Sequence, residues 1–203
     1  WDLCGKACAQ PLYRLFGGAL RESVDYFCYL SQGSPADLAA QCADAAKRGY
    51  RCYYLKTGVD WRAEEAMLEA IRSTAGPDAL IRIDANEAWS VPEAVRLLTR
   101  WNDRFGIDFA EAPVRAQPHA LMLDLRQRVP VALCANEGLG RPLDVLSMIE
   151  SHAADVLCFS SYWVGGMQSF MTLSRTAELA GNKVCKHTHG EFGIAAVAHQ
   201  HAL

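Results

Sequence analysis

Residues 80–113 read LIRIDANEAWSVPEAVRLLTRWNDRFGIDFAEAP, two short apolar runs that each end in an acid, separated by one amphipathic stretch. The runs at 80–84 and 108–111 predict strands ending in Asp84 and Glu111. The stretch at 91–101 predicts a helix, with Ser90 and Pro92 supplying the cap and the proline that helix starts favour. The same unit repeats on both sides. Further strands are predicted at 24–30, 51–56, 131–134, 155–159 and 183–186, and further helices at 34–48, 62–73, 118–127, 142–151, 167–180 and from about 193. Gly49, Gly76 and Gly181 fall where three of these helices should stop. Such alternation builds βα units on a parallel sheet. About seven units can be counted, so the expected fold class is α/β, a TIM-like barrel that is incomplete in this chain. At 203 residues the chain is also shorter than the roughly 250 that such barrels use.

The polar residues at or just past the strand ends carry the chemistry. Lys56, Asp84, Glu111, Glu137 and Ser160 follow one another at intervals of 28, 27, 26 and 23 residues, and His187 or His189 lies 27 or 29 further on. One βα unit separates each from the next. In a closed parallel barrel, equivalent strand ends converge on the C-terminal rim, where barrel enzymes place their reacting groups. Any one of the acids alone could be a helix cap, but the regular ladder argues for a shared site. Asp84, Glu111 and Glu137 offer hard oxygen ligands that suit Mg²⁺ better than zinc. Lys56, which ends Tyr53-Tyr54-Leu55-Lys56, is the candidate general base, because a cation nearby disfavours the charged form of an amine. A surface lysine lying along the barrel is the plain alternative. Lys186-His187-Thr188-His189 brings an imidazole to the far side of the mouth, where one of the two histidines is expected to contact substrate or move a proton.

Composition excludes several classes. No apolar run approaches the roughly 18 residues of a membrane span, although 51% hydrophobic residues support a packed core. Twenty basic against 23 acidic residues give a net charge of −3 with no basic block, which argues against a nucleic-acid partner. Eight cysteines are scattered without a CxxC pair. Several, such as Cys134 in VALCA and Cys158 in DVLCF, sit in apolar runs, so buried reduced thiols are expected. No leader-like basic and apolar segment follows Trp1, and a cytoplasmic location is expected.

Trp1-Asp2-Leu3-Cys4-Gly5-Lys6, Pro11-Leu12-Tyr13-Arg14-Leu15-Phe16-Gly17-Gly18, Asp84-Ala85-Asn86, Glu111-Ala112-Pro113, Asn136-Glu137, Gly165-Gly166 and the histidine segment occur in one order along the chain. In that order and spacing they resemble the enolase superfamily, in its mandelate racemase and muconate lactonizing branch. The resemblance covers nearly the whole chain. It implies a (β/α)7β barrel domain at 24–203, led into by a helix and turn at 1–23. It also implies that a base removes the proton α to a carboxylate while Mg²⁺ stabilises the enediolate, an arrangement already described for this superfamily. By position Asp84, Glu111 and Glu137 match the metal ligands, with Asn136 the alternative third ligand because branches differ by one position there. Lys56 matches the second lysine of a Lys-x-Lys motif, and Asn86 a polar neighbour of the first ligand that reaches substrate.

Two departures from the pattern bear on the reaction. Tyr54 stands for the first lysine of the motif, and Ser160 stands where lactonizing members carry another lysine and racemases an aspartate paired to histidine. Tyr54, Asn86 and Ser160 are then the expected substrate contacts. Lys56, His189 and His187 are the expected catalytic groups, His189 being preferred because it lies five residues before Ile194. A racemase needs effective bases on both faces of the carbon, so the expected reaction is dehydration of a sugar acid or related hydroxy-carboxylate. Racemase, epimerase or cycloisomerase chemistry is the alternative, and a non-catalytic metal-binding barrel remnant is the reading from another class. Members of the branch also carry an N-terminal capping domain and an eighth strand. Neither is present, so the expectation is a part of a longer protein or a truncated one, acting on a small carboxylate as a homo-oligomer, with its open sheet edges covered by another segment or subunit.

Overall fold

The computed structural model describes residues 1–188 and 190–203. Its strands are β1 (Cys28–Leu30), β2 (Cys52–Lys56), β3 (Leu80–Asp84), β4 (Ile107–Glu111), β5 (Ala132–Ala135), β6 (Val156–Phe159) and β7 (Lys183–Lys186). They pair in chain order and all pairs are parallel. Helices α1 (Asp2–Cys8) and α2 (Leu12–Leu15) precede β1. One helix then follows each strand: α3 (Pro35–Lys47), α4 (Trp61–Ala75), α5 (Val91–Phe105), α6 (Ala120–Arg126), α7 (Pro142–Ser151), α8 (Met167–Leu179) and α9 (Gly193–Ala202). The result is an incomplete TIM-like barrel in which β1 and β7 are the two ends of the sheet. No described helix is long and apolar enough to cross a membrane.

Strands β2, β5 and β6 are buried on both faces, as parallel strands under a helical layer must be. Alternate residues therefore enter two different cores. Leu55, Ile81, Ile83, Ala110, Leu133, Leu157 and Phe159 face the helices and pack with Leu68, Ile71, Leu97, Leu98 and Trp101. Phe109, Cys134, Val156 and Cys158 form a separate inner cluster, with Cys185 partly buried against it. On α5 the buried positions Ala94, Leu97, Leu98, Trp101 and Phe105 recur at helical spacing, which is why this segment turns one face to the sheet.

Local chemistry sets the helix ends. Ser34 caps α3 with a full capping box to Asp37, and Gly76 ends α4 at φ 85°, a conformation that side-chain-bearing residues avoid. Two boundaries differ most from the sequence expectation, the start of β1 and the end of α5. β1 is confined to Cys28–Leu30 within the expected 24–30, because only these residues have ladder partners, Tyr53–Leu55 on β2. α5 runs on to Phe105 because its last turn is held by tertiary contacts that no helix propensity reveals: Phe105 is buried, and Arg104 binds Glu65 and Glu69 of α4. All eight cysteines are free thiols; Cys42, Cys52, Cys134 and Cys158 are buried as expected, whereas Cys4 and Cys8 lie exposed on α1.

The turns after α4 and α5 are joined by one side chain. Arg72 donates from Nη1 to the carbonyls of Gly76, Pro77 and Ala79 at 2.7, 3.0 and 2.8 Å, from Nε to Phe105 at 2.8 Å and from Nη2 to Gly106 at 3.1 Å. Arg72→Met leaves these carbonyls without their donor and is expected to cost about 2–4 kcal/mol, read as a lower urea midpoint at unchanged slope. Arg72→Lys is expected to recover only part of the loss, since an ammonium cannot reproduce the five-donor fork.

Candidate active site

The ladder sets Lys56, Asp84 and Glu111 side by side: Lys56 pairs with Asp84 across β2 and β3, and Asp84 with Glu111 across β3 and β4. All three end their strands, at the same edge of the sheet. Just beyond them the backbone is forced. Asn86, Glu87 and Ala112 have φ of 44°, 64° and 39°, left-handed values that cost residues with a Cβ about 1–2 kcal/mol each. Those turns fold back over the carboxylates, and the Asn86 amide donates to Asp84 Oδ1 at 2.8 Å. The turn after β2 comes close enough that only glycine fits at position 58, where a Cβ would lie 2.7 Å from Ala88 Cβ and 2.8 Å from the Ala85 carbonyl oxygen.

Asp84 and Glu111 are buried, with 1% and 4% of their surface exposed. Tyr54, also buried, donates its hydroxyl to Asp84 Oδ2 at 2.7 Å and sits 3.1 Å from Glu111 Oε2. A phenol has one proton, so it satisfies one carboxylate and leaves the other short of a donor. Lys56 Nζ binds the same Asp84 Oδ2 and donates to Asn86 Oδ1 at 2.8 Å. The Asn86 amide in turn donates to Glu137 Oε1 at 2.8 Å, while Glu137 Oε2 is buried with no hydrogen-bond partner among the described residues. Asn136 is buried and spends its amide on the Cys158 carbonyl at 2.9 Å. Tyr54 itself is fixed by stacking on Phe27, with ring centroids 4.7 Å apart.

Burial, and then the Asp84 charge beside it, push the Glu111 carboxyl up to about 8, while Tyr54 and Lys56 pull the other way. Burial and the same two carboxylates drive the Tyr54 phenol far above its usual value, so it remains a neutral donor. The pocket thus holds more carboxylate oxygen than its own donors satisfy: a protonated Glu111, a bare Glu137 oxygen and a phenol stretched over two acids. That donor set fits a hard divalent cation, which takes several oxygen ligands and repays the desolvation of the anions.

The expected residues fall into two groups. Tyr54, Lys56, Asp84, Asn86, Glu111 and Glu137 are joined by the contacts above, with the Tyr54 hydroxyl lying between the two buried acids. The three carboxylates are not drawn within 4.8 Å of one another; Glu111, Cys134 and Cys158 are the trio of potential ligands that close among the described residues. Ser160 is fully buried on the barrel side, its Oγ without a partner among the described residues. His187 donates its backbone amide to Phe159 O at 2.9 Å and lays its ring against Trp163 at 4.5 Å. His189 lies outside the described residues. Sequence reasoning missed the roles of Glu87, which anchors the loop after β4 by accepting from Ala116 N at 2.7 Å, and of the buried pair Ser161 and His199, 2.8 Å apart. Glu87 and His199 lie away from the strand-end positions that found the others, whereas Ser161 follows β6 at the same offset as Glu137 follows β5.

Parallel strands that pair in chain order, each followed by a helix, with a lysine and two carboxylates at one edge of the sheet, define a TIM-like barrel domain. The chain belongs to the enolase C-terminal domain-like family, whose model matches residues 37–203. It is 29% identical over 89% of its length to the N-succinyl-L-Arg/Lys racemase of Bacillus cereus, covering 49% of that protein. The dipeptide epimerase of Enterococcus faecalis superposes with a TM-score of 0.92 at 26% identity, over 99% of this chain and 58% of that one. The same epimerase has been solved in complex with Mg and the dipeptide L-Leu-L-Tyr, and matches with a TM-score of 0.91 at 26% identity over 99% and 56% of the two chains. Relatives also include a cycloisomerase and dehydratases. The chain spans about half the length of the curated relatives it matches.

Glu111 gives the site a pH signature. A carboxyl whose pKa rises from 4.5 unfolded to about 8 folded favours the folded state while it is protonated, so its contribution is complete below pH 4.5 and is lost as pH rises through 8. In chelator the melting temperature is therefore expected to fall from pH 5 to pH 9, and Glu111→Gln to flatten that slope. Binding of a divalent cation at pH 7 is expected to release protons from the site, measured by calorimetry in buffers of different ionisation enthalpy, and Glu111→Gln to reduce that release.

Proposed function

We propose that this chain is the barrel half of a Mg²⁺-dependent enzyme that removes the proton α to a carboxylate, with Lys56 as the base and loss of a β-hydroxyl as the outcome. In this reading 24–203 is the catalytic domain and 1–23 leads into it. The observation that carries it is the in-register row of Lys56, Asp84 and Glu111, with the Lys56 amine tied to Asn86. Asp84, Glu111 and Glu137 would hold the cation. When bound, it supplies an electrophile for the substrate carboxylate and stabilises the charge that builds there.

The remaining steps belong to this chain's side chains. Lys56 takes the α-proton as a free amine, and Asn86, itself held by Glu137, aims Nζ. Tyr54 fills the space beneath the carboxylates, donates to Asp84 and excludes water. Ser160 brings no base to the rim opposite Lys56, which supports elimination over a two-base racemisation. A histidine, 189 or 187, then protonates the departing hydroxyl.

A second reading, epimerisation of a dipeptide or acylated amino acid, is favoured by the E. faecalis relative solved with Mg and a dipeptide. Deuterium uptake at the α-carbon in D₂O, followed with the full-length protein, separates the two: water is lost from a hydroxy acid in the first, and both epimers accumulate without loss of water in the second. Lys56→Ala is expected to slow uptake by at least about 100-fold in either case. Uptake unchanged in that variant removes Lys56 as the base.

The third ligand has its own test. Magnesium calorimetry is expected to show a larger loss of affinity for Glu137→Gln than for Asn136→Ala, since an anionic oxygen is the stronger ligand. The reverse order would transfer the assignment to Asn136.

A further inference from the structure

The inner face of the sheet carries thiols that the proposed reaction does not use, set beside one carboxylate that it does. Ladder register places Cys134 of β5 directly beside Glu111 of β4, and Cys158 of β6 directly beside Cys185 of β7. Cys158 stands two residues beyond Val156, the partner of Cys134, and so shares its face of the sheet. The Sγ atoms of Cys134 and Cys158 and a carboxylate oxygen of Glu111 all lie within 4.8 Å of one another. The pairing of Cys158 with Cys185 across β6 and β7 puts a third thiol next to the trio. Glu111, Cys134 and Cys158 are all buried, at 4%, 0% and 4% exposure.

Packing alone explains this arrangement poorly. An apolar residue would fill positions 134 and 158 as well as a thiol does, and it would not crowd sulfur against a carboxylate. Thiols are poor ligands for Mg²⁺, whereas two or three sulfurs with one carboxylate oxygen suit Zn²⁺ and its soft relatives, which accept four ligands in a tetrahedron. Phe109, Val156 and Cys185 also line a cavity of about 1350 Å³, so one of the thiols beside the trio borders open space.

We propose that Cys134, Cys158 and Glu111, with Cys185 as the fourth ligand, form a buried site for a single thiophilic divalent ion of the Zn²⁺ class. On ligation each thiol gives up its proton to solvent. Because Glu111 is also assigned to the rim carboxylates, an ion seated among the thiols withdraws that oxygen from Mg²⁺. This last consequence rests on the proposed function, and the ligand site itself does not.

The test uses the whole chain, reduced, with Zn²⁺ and Co²⁺ as probes. Exposed Cys4 and Cys8, one helical turn apart on α1, could bind a soft ion on their own, so Cys4→Ser/Cys8→Ser is the control. The expected result is one ion per chain and a thiolate-to-cobalt absorption band that survives in the control. Cys134→Ser/Cys158→Ser is expected to lose the band and more than about 100-fold in affinity, beyond what loss of a supporting group costs. X-ray absorption of the Zn²⁺-loaded native chain needs no variant, so misfolding cannot obscure it, and is expected to show two or three sulfurs at about 2.3 Å. A zinc shell of oxygen and nitrogen alone, or a cobalt band abolished by the Cys4 and Cys8 changes, overturns the proposal.

Discussion

The parallel ladder joining β2, β3 and β4 is the constraint on which the site depends. Its register puts Lys56, Asp84 and Glu111 in one row, and alternation along each strand turns that row toward the barrel interior while Leu55, Ile83 and Ala110 enter the helix-facing core. A slip of one residue would exchange the two faces and bury the charged row under the helices. The apolar packing of that outer core therefore fixes the chemistry as firmly as any contact among the polar groups. The same ladder, continued through β5, β6 and β7, sets the thiols beside Glu111.

What the fold then confines is an excess of carboxylate oxygen over the donors that could satisfy it. Asp84 and Glu111 are buried, and the Lys56 amine that contacts Asp84 is already shared with Asn86. The excess is held in place by left-handed turns at Asn86 and Ala112 and by Gly58, whose neighbours leave no room for a side chain. Such local costs survive only where the surrounding structure over-determines them. The barrel core does so here, through the two apolar layers on either side of each strand.

Much of the architecture was legible in the sequence because it repeats. Short apolar runs alternating with amphipathic stretches gave all seven strands and the helix after each, and the even spacing from Lys56 to Ser160 marked the rim. Less legible were features that arise between distant segments. β1 is shorter than its apolar run because only three residues meet a partner, and α5 is longer than its pattern because Arg104 reaches α4. The Tyr54 hydroxyl bridges acids 30 and 57 residues away, a contact that register creates and no local motif encodes. The thiols are instructive in another way. Cys134, Cys158 and Cys185 follow the same interval of one βα unit as the acids, yet a cysteine in an apolar run reads as packing, and only the three-dimensional placement beside Glu111 gives it a second meaning.

Tyr54 is the residue through which these features combine. A lysine at its place would add a fixed positive charge between Asp84 and Glu111 and offset their repulsion directly. The phenol keeps the hydrogen bond to Asp84 but contributes no charge, so Glu111 retains its proton near neutrality until a cation arrives. In the proposed reaction compensation of the buried acids would pass from the polypeptide to a bound ion, and the charge state of the rim would be coupled to which ion that is. Hard oxygen ligands lie on one side of Glu111 and soft sulfur ligands on the other. The carboxylate that Tyr54 leaves without a full partner is the one both sets can claim, and so the choice between them is made at a single side chain.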